Sequence, residues 1–192
     1  MVAYATVFKK CRLERLIMDL RIVKTRHIIR EAFLELRSKN PLEKIKVKRL
    51  CELALINKST FYKHYQDIFA LSEEIENETI LSIMNNFGYM DALFTEPDSF
   101  CKGFYHAFKS QEGVIVTLFS GRMNVLIDKV VSQLINHYPW LSGMPEKEIM
   151  LSFLLWGASH VLMESRYKET IMLDTLTKVA KQTIKLFDVQ VL

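Results

Sequence analysis

Apolar residues recur at helical spacing along almost the whole chain, and nowhere do they alternate over the length of a strand. Ile29, Ala32, Phe33 and Leu36 follow the i, i+3, i+4, i+7 spacing of one helix face. That pattern stops at Ser38-Lys39-Asn40-Pro41, where the proline disfavours helix at Asn40, so a helix over 24–38 is expected. Val47, Leu50, Cys51 and Ala54 repeat the spacing over about two turns. A third short helix should follow Asn57, a residue suited to an N-cap, with Phe61 and Tyr65 at i and i+4 on its buried side. Asp67 is placed to cap a long helix running to about Phe87 and closed by Gly88, with Leu71, Ile75, Ile83 and Met84 inward. Glu73, Glu74, Glu76 and Glu78 in its early turns suit the positive end of a helix dipole and read as a solvated face. Further helices are expected at 98–109, 114–119, 122–137, 146–167 and 172–187, separated by Gly113, Gly121, Pro139 and the turn from Gly143 to Pro145. The expected class is all-α with about nine helices.

Composition removes several alternatives. The chain of 192 residues is 49% hydrophobic and 25% charged, with 6 Gly and 4 Pro, which excludes disorder and collagen-like character. Cys11, Cys51 and Cys101 lie far apart and form no CxxC pair, so neither a disulfide framework nor a zinc cluster is expected, and a reducing cytoplasm fits. The longest apolar stretch, Ile149 to Met163, contains His160 and stops at Glu164, short of the roughly 18–20 residues that span a bilayer, so no membrane partner is expected. Met1 to Phe8 precedes Lys9, Lys10, Arg12 and Arg15, the reverse of the charge order of a secretory signal. Residues 1–20 read as an N-terminal extension, either disordered or a loosely held helix, with a basic arm following a minor groove as the alternative.

Charge is distributed unevenly. The net charge is only +4, yet residues 21–65 hold 12 Lys and Arg against four acidic residues, while residues 66–192 are net acidic. A basic segment on an otherwise acidic protein is what attraction to phosphates requires, since each cation that neutralises a phosphate releases condensed counterions. A solvated basic face that binds nothing is the plain alternative.

Three helices at short spacing, the last two joined by Leu55-Ile56-Asn57, describe a helix-turn-helix. The second short helix reads Lys58-Ser59-Thr60-Phe61-Tyr62-Lys63-His64-Tyr65. With Phe61 and Tyr65 inward, Ser59, Thr60, Tyr62, Lys63 and His64 are left mainly on outward faces. So little apolar surface makes a poor core element and a good groove reader: small hydroxyl side chains allow close approach to base edges, while Lys, Tyr and His reach phosphate oxygens. Taken singly, His64 would be a surface histidine and Tyr62 a packing residue; their neighbourhood with Lys63 is what suggests a role.

Thr60-Phe61-Tyr62-Lys63-His64-Tyr65 followed by Leu71 resembles the T-[LF]-Y-x-H-F…L signature of tetracycline-repressor (TetR) type regulators, and the stretches Arg26–Leu36 and Val47–Ala54 match the helices that precede it. The resemblance covers about residues 22–75 and beyond them rests on helix number and length. It implies a transcription factor that binds a double-stranded operator as a homodimer, with a DNA-binding domain at 21–66 and a helical effector-binding and dimerisation domain at 67–192. It implies base-edge or near-base contacts from Lys58, Ser59, Thr60 and Lys63, phosphate contacts from Tyr62 and His64, and flanking backbone contacts from Arg26 and Lys46. Two positions depart from it. Leu55 stands where the family has Gly, so a turn that is strained or differently shaped is expected. Ile68 replaces a phosphate-binding Lys at the start of the fourth helix.

The rest of the chain offers no enzyme signature. His27, His106, His137 and His160 show no metal-ligand spacing, and no G-x-S-x-G, P-loop or dinucleotide glycine pattern occurs; no cofactor is expected. The C-terminal region is rich in aromatic residues, among them Phe87, Tyr89, Phe94, Phe100, Phe108, Phe119 and Trp140. Most read as ordinary core, and Phe104, Tyr105, His106, Trp156 and His160 are candidate liners of a pocket for an apolar or amphipathic small molecule. Segment 146–167 is apolar on more than one side and 172–187 carries a matching stripe ending at Phe187, which makes Phe153, Gly157, Val161, Val179 and Ile184 candidates for a twofold four-helix interface. The competing reading is a helical adaptor with a degenerate helix-turn-helix that acts through a protein partner.

Overall fold

The computed structural model describes residues 2–86, 91–138, 143–164 and 166–186, and among these are nine α-helices, one 3-10 turn and no strand. Phe87, Gly88, Tyr89, Met90, Pro139, Trp140 and Phe187 lie outside the described residues. The chain divides into two compact units, Met1–Ile75 and Glu76–Leu192.

In the first unit, α1 (Val2–Arg37) ends close to the expected place but starts far earlier than residue 24, so the extension is helical in its backbone rather than unstructured. Its inward residues Ile29, Ala32 and Phe33 are buried, each large one contributing about 1.5–3 kcal/mol of apolar transfer energy, while Leu36 is half-buried. The last turn is closed by side chains: Asn40 Nδ2 donates to the Leu36 carbonyl at 2.9 Å and Arg37 Nη1 donates to the Asn40 carbonyl at 3.2 Å. Pro41 then leads into a 3-10 turn, Leu42–Lys44, which tucks Leu42 and Ile45 into the core. The short helices α2 (Val47–Leu53) and α3 (Lys58–Tyr62) follow, with Leu50, Cys51, Ala54 and Phe61 buried.

Helix α4 (Ile68–Asn86) begins in the first unit and continues into the second. Asp67 caps it as expected, Oδ1 accepting the Ala70 N–H at 2.8 Å. Ile68 is buried, which gives an apolar residue a packing reason to stand where the resemblance led us to expect lysine. Leu71, Ile75, Ile80 and Ile83 are buried and Met84 is half-buried.

The second unit adds α5 (Asp91–Thr95), α6 (Pro97–Phe119), α7 (Met123–His137), α8 (Pro145–Glu164) and α9 (Glu169–Leu186). Helix α6 packs against α5, α7 and α9, and α8 against α7 and α9. Two sequence expectations are corrected. The segments expected at 98–109 and 114–119 are one helix, because Gly113 carries helical backbone in the middle of α6 despite its lower propensity. The acidic residues of early α4 do not form one solvated face. Glu73 and Glu78 are exposed, but Glu76 lies four residues after the buried Ser72 on the same side and is itself 6% exposed. Its carboxylate accepts Arg122 Nη2 at 2.9 Å and Lys129 Nζ at 2.7 Å, so the buried charge is matched by cations at the start of α7 and within it.

Candidate functional site

The turn between α2 and α3 sets how the second short helix is presented. Ile56 N–H donates to the Cys51 carbonyl at 3.0 Å and Leu55 N–H to the Glu52 carbonyl at 3.4 Å, the two bonds of a Schellman helix end. That motif needs a left-handed residue at the first position past the cap. Leu55 supplies it with φ of 52°. The turn therefore takes its left-handed form without glycine and carries the strain of an L-residue there. The Leu55 side chain meets no steric obstacle, since it is 91% exposed.

Asn57 occupies the N-cap position of α3, but its side chain makes no capping bond; its carbonyl accepts the N–H groups of Thr60 at 2.9 Å and Phe61 at 3.2 Å. Helix α3 is shorter than expected, ending at Tyr62, and the chain continues as a turn in which Tyr65 N–H still donates to the Phe61 carbonyl at 3.0 Å. Phe61 and Tyr65 are both buried, with ring centroids 5.7 Å apart. Outward stand Lys58, Ser59, Tyr62 and Lys63, all exposed, with Thr60 and His64 half-buried. The Tyr62 ring lies edge-on to Phe61 at 5.4 Å while 56% of its surface is exposed, so its base is fixed and its hydroxyl is outward-facing. Lys46, at the N-cap of α2, is exposed. Lys44 and Lys48 are exposed nearby as well; the charge count contained them, but only folding shows that they stay in solvent. Arg49 is also exposed and pairs with Glu52 at 3.4 Å.

Arg26 is placed differently from the other residues expected to touch DNA. Its guanidinium forms an ion pair with Glu74 and stands 5.6 Å from the centroid of the Tyr65 ring, while Tyr65 Oη donates to Glu74 Oε1 at 2.8 Å. Burial, and then the bond to Glu74, pushes the Tyr65 phenol up to about 12. The Glu74 carboxylate likewise holds Arg26 above its ordinary value. No periodicity or motif in the sequence pairs Tyr65 with a residue of α4.

In the second unit a cavity of about 500 Å³ lies among α5, α6, α8 and α9. Of the five residues expected to line a pocket, Phe104 lines this cavity. Tyr105 is buried beside it and turns its hydroxyl to Glu169 at 3.2 Å, whereas His106, Trp156 and His160 are exposed and do not line this cavity. Four residues expected at a subunit interface, Phe153, Gly157, Val161 and Val179, also line the cavity, together with Phe100, Leu151, Leu155 and Met172. The fifth, Ile184, is half-buried and does not line it. Helix α8 is apolar all round, and periodicity alone cannot say which side is covered by α7 and which is left open. Two stripes remain outward: Ile149, Phe153 and Trp156 on α8, and Ile171, Val179 and Leu186 on α9.

Among the described residues no group of three His, Cys, Asp or Glu side chains could hold a metal ion, and no helix is long and apolar enough to cross a membrane. No protein-family model matches the sequence, and no curated protein matches it. Among solved structures the chain is similar to a transcriptional regulator of the TetR/AcrR family from Aquifex aeolicus VF5, at 19% identity and a TM-score of 0.51, over 84% of this chain and 98% of that one. It also matches the dihydroxyacetone kinase operon activator DhaS, at 17% identity and a TM-score of 0.47, over 86% of this chain and 94% of that one. The first likeness shows the fold, an all-α arrangement of TetR type with an N-terminal helix-turn-helix and a larger helical region after it.

Proposed function

We propose that this chain is a transcriptional regulator of TetR type, not an enzyme, that binds a pseudo-palindromic operator as a homodimer and whose affinity is set by a small apolar ligand. The observation that carries the reading is the division of α3 and its following turn, with Phe61 and Tyr65 inward and Lys58, Ser59, Tyr62 and Lys63 outward. A five-residue helix that spends its apolar residues on anchoring offers solvent only cations, hydroxyls and one aromatic edge, the chemistry that reads a major groove and its phosphates. Lys46, Thr60 and His64 extend that surface, and the basic balance of residues 21–65 supplies the counterion release that drives binding.

A dimer presents two such helices at about one DNA turn, roughly 34–36 Å, in successive major grooves. The open apolar stripes of α8 and α9 support a twofold bundle between copies. The cavity among α6, α8 and α9 supports an effector that is uncharged over most of its surface, because its lining is apolar apart from a few groups such as Thr175. By linkage, a ligand that favours a conformer with another spacing of the two reading helices lowers DNA affinity. Such a regulator works in the cytoplasm.

Gel shift against the DNA upstream of its own gene tests this. Lys63→Ala with Tyr62→Phe should weaken binding at least about tenfold, since each removed groove or phosphate contact is worth about 1–3 kcal/mol. Unchanged affinity rejects the assignment. The adaptor reading predicts duplex binding with little salt dependence; a steep fall of log K with log salt excludes it. The left-handed turn at Leu55, which keeps the geometry a glycine would give, supports the DNA-binding reading over the adaptor.

A further inference from the structure

Helix α3 has five residues, far below the length at which a helix persists unaided, and no side-chain N-cap. Its orientation must therefore come from what holds its inward side. Phe61 is wholly apolar and sets depth, but a ring in an apolar bed restrains rotation weakly. Tyr65 is different, because its buried ring ends in a hydroxyl whose direction is set by one acceptor, Glu74 Oε1 at 2.8 Å on α4. The other oxygen of that carboxylate is taken by Arg26 of α1, whose guanidinium also stands over the Tyr65 ring at 5.6 Å. Three elements thus converge on the side chain that ends the reading segment.

We infer that Arg26, Tyr65 and Glu74 form a lock that fixes the orientation of α3 for DNA, and that Arg26 is a positioning residue and not a phosphate contact. The inference rests on the reading of α3 as a groove-binding helix. A guanidinium already neutralised by a carboxylate, and engaged with an aromatic face, gains little from a phosphate and releases few counterions. The same pairing explains why tyrosine stands where the resemblance has phenylalanine: only the hydroxyl can be held by Glu74. The lock lies wholly within Met1–Ile75.

The test is fluorescence anisotropy of the full chain on a labelled duplex from its upstream region, at several salt concentrations. Tyr65→Phe keeps the ring and every charge and removes one hydrogen bond, so affinity should fall about fivefold. Arg26→Ala and Glu74→Ala should each weaken binding about tenfold with the salt slope of the parent chain, because no phosphate contact is lost. Glu74→Gln, which keeps an acceptor for Tyr65, should recover part of that loss, and Tyr65→Phe added to Glu74→Ala should cost nothing further. Parent-like affinity of Tyr65→Phe overturns the lock. A salt slope flatter by about one in Arg26→Ala makes Arg26 a phosphate contact after all. Should the parent chain itself show no salt-dependent duplex binding, the DNA reading fails independently. Amide exchange at Phe61–Tyr65 then decides the lock: faster exchange in Tyr65→Phe upholds it, and unchanged exchange overturns it.

Discussion

Leu55→Gly should stabilise the N-terminal unit, and the structure gives the size of the effect. Leu55 sits at φ of 52°, where a side chain costs an L-residue roughly 1–2 kcal/mol. Its side chain is 91% exposed, so removing it forfeits almost no burial. The two hydrogen bonds of the helix end, Ile56 N–H to Cys51 and Leu55 N–H to Glu52, are made by backbone atoms and survive the change. Against the relieved strain stands the greater freedom of glycine in the unfolded chain, about 0.5–1 kcal/mol. The midpoints of the two ranges leave a net gain of about 0.7 kcal/mol, between bounds of about 0 and 1.5, or about 1–3 °C in Tm for a chain of this length. Urea denaturation followed by far-UV circular dichroism reads the change, and amide exchange at Leu50 and Ala54 assigns it to this unit. Leu55→Ala is the control: it keeps a Cβ in the left-handed region and should stay within about 0.5 kcal/mol of the parent chain. A glycine variant no more stable than the parent, or an alanine variant equally stabilised, refutes the argument that strain is stored at this turn.

Further predictions concern charge and interface. Tyr65 ionises at about 12 when folded and near 10.0 when unfolded, so the folded state holds its proton longer; stability of the N-terminal unit is full below pH 10 and declines between pH 10 and 12. Urea titrations across that range should show a smaller decline in Tyr65→Phe, and an identical decline contradicts the raised ionisation that burial, and then the bond to Glu74, gives Tyr65. Glu76→Ala leaves Arg122 and Lys129 without their shared carboxylate and should cost about 2–3 kcal/mol by denaturation, less than for a fully buried pair because both cations are partly exposed. A loss under 1 kcal/mol argues that the cluster is a surface feature. Phe153→Asp with Val179→Asp places charges on two exposed positions, and light scattering should show a monomer of parental helix content whose DNA affinity falls at least about tenfold, since one half-site contact is lost. Retained dimer places the interface elsewhere.

Spacing of apolar residues was enough to determine the helical class and the placement of α2, α7 and α9 within a few residues, because each of these helices buries one stripe and leaves the other in water. The same periodicity marked Phe61 and Tyr65 as inward and Ser59, Thr60, Tyr62, Lys63 and His64 as outward; Ser59, Tyr62 and Lys63 are exposed while Thr60 and His64 are half-buried, so most of the candidate groove-reading surface could be named from the chain alone. What it could not resolve were relations that depend on a third element. Glu76 reads as a solvated acid until α7 brings Lys129 against it. Arg26 reads as a cation free for phosphate until Glu74, 48 positions later, takes its charge. Leu55 reads as a misfit until neighbouring hydrogen bonds are seen to hold it in the left-handed region. Helix α8, apolar on more than one side, carries no internal record of which face is covered, so which of its residues border the cavity could not be read from spacing. Local pattern encodes how a segment divides between water and interior; the identity of the neighbour across that boundary is a property of the packed whole.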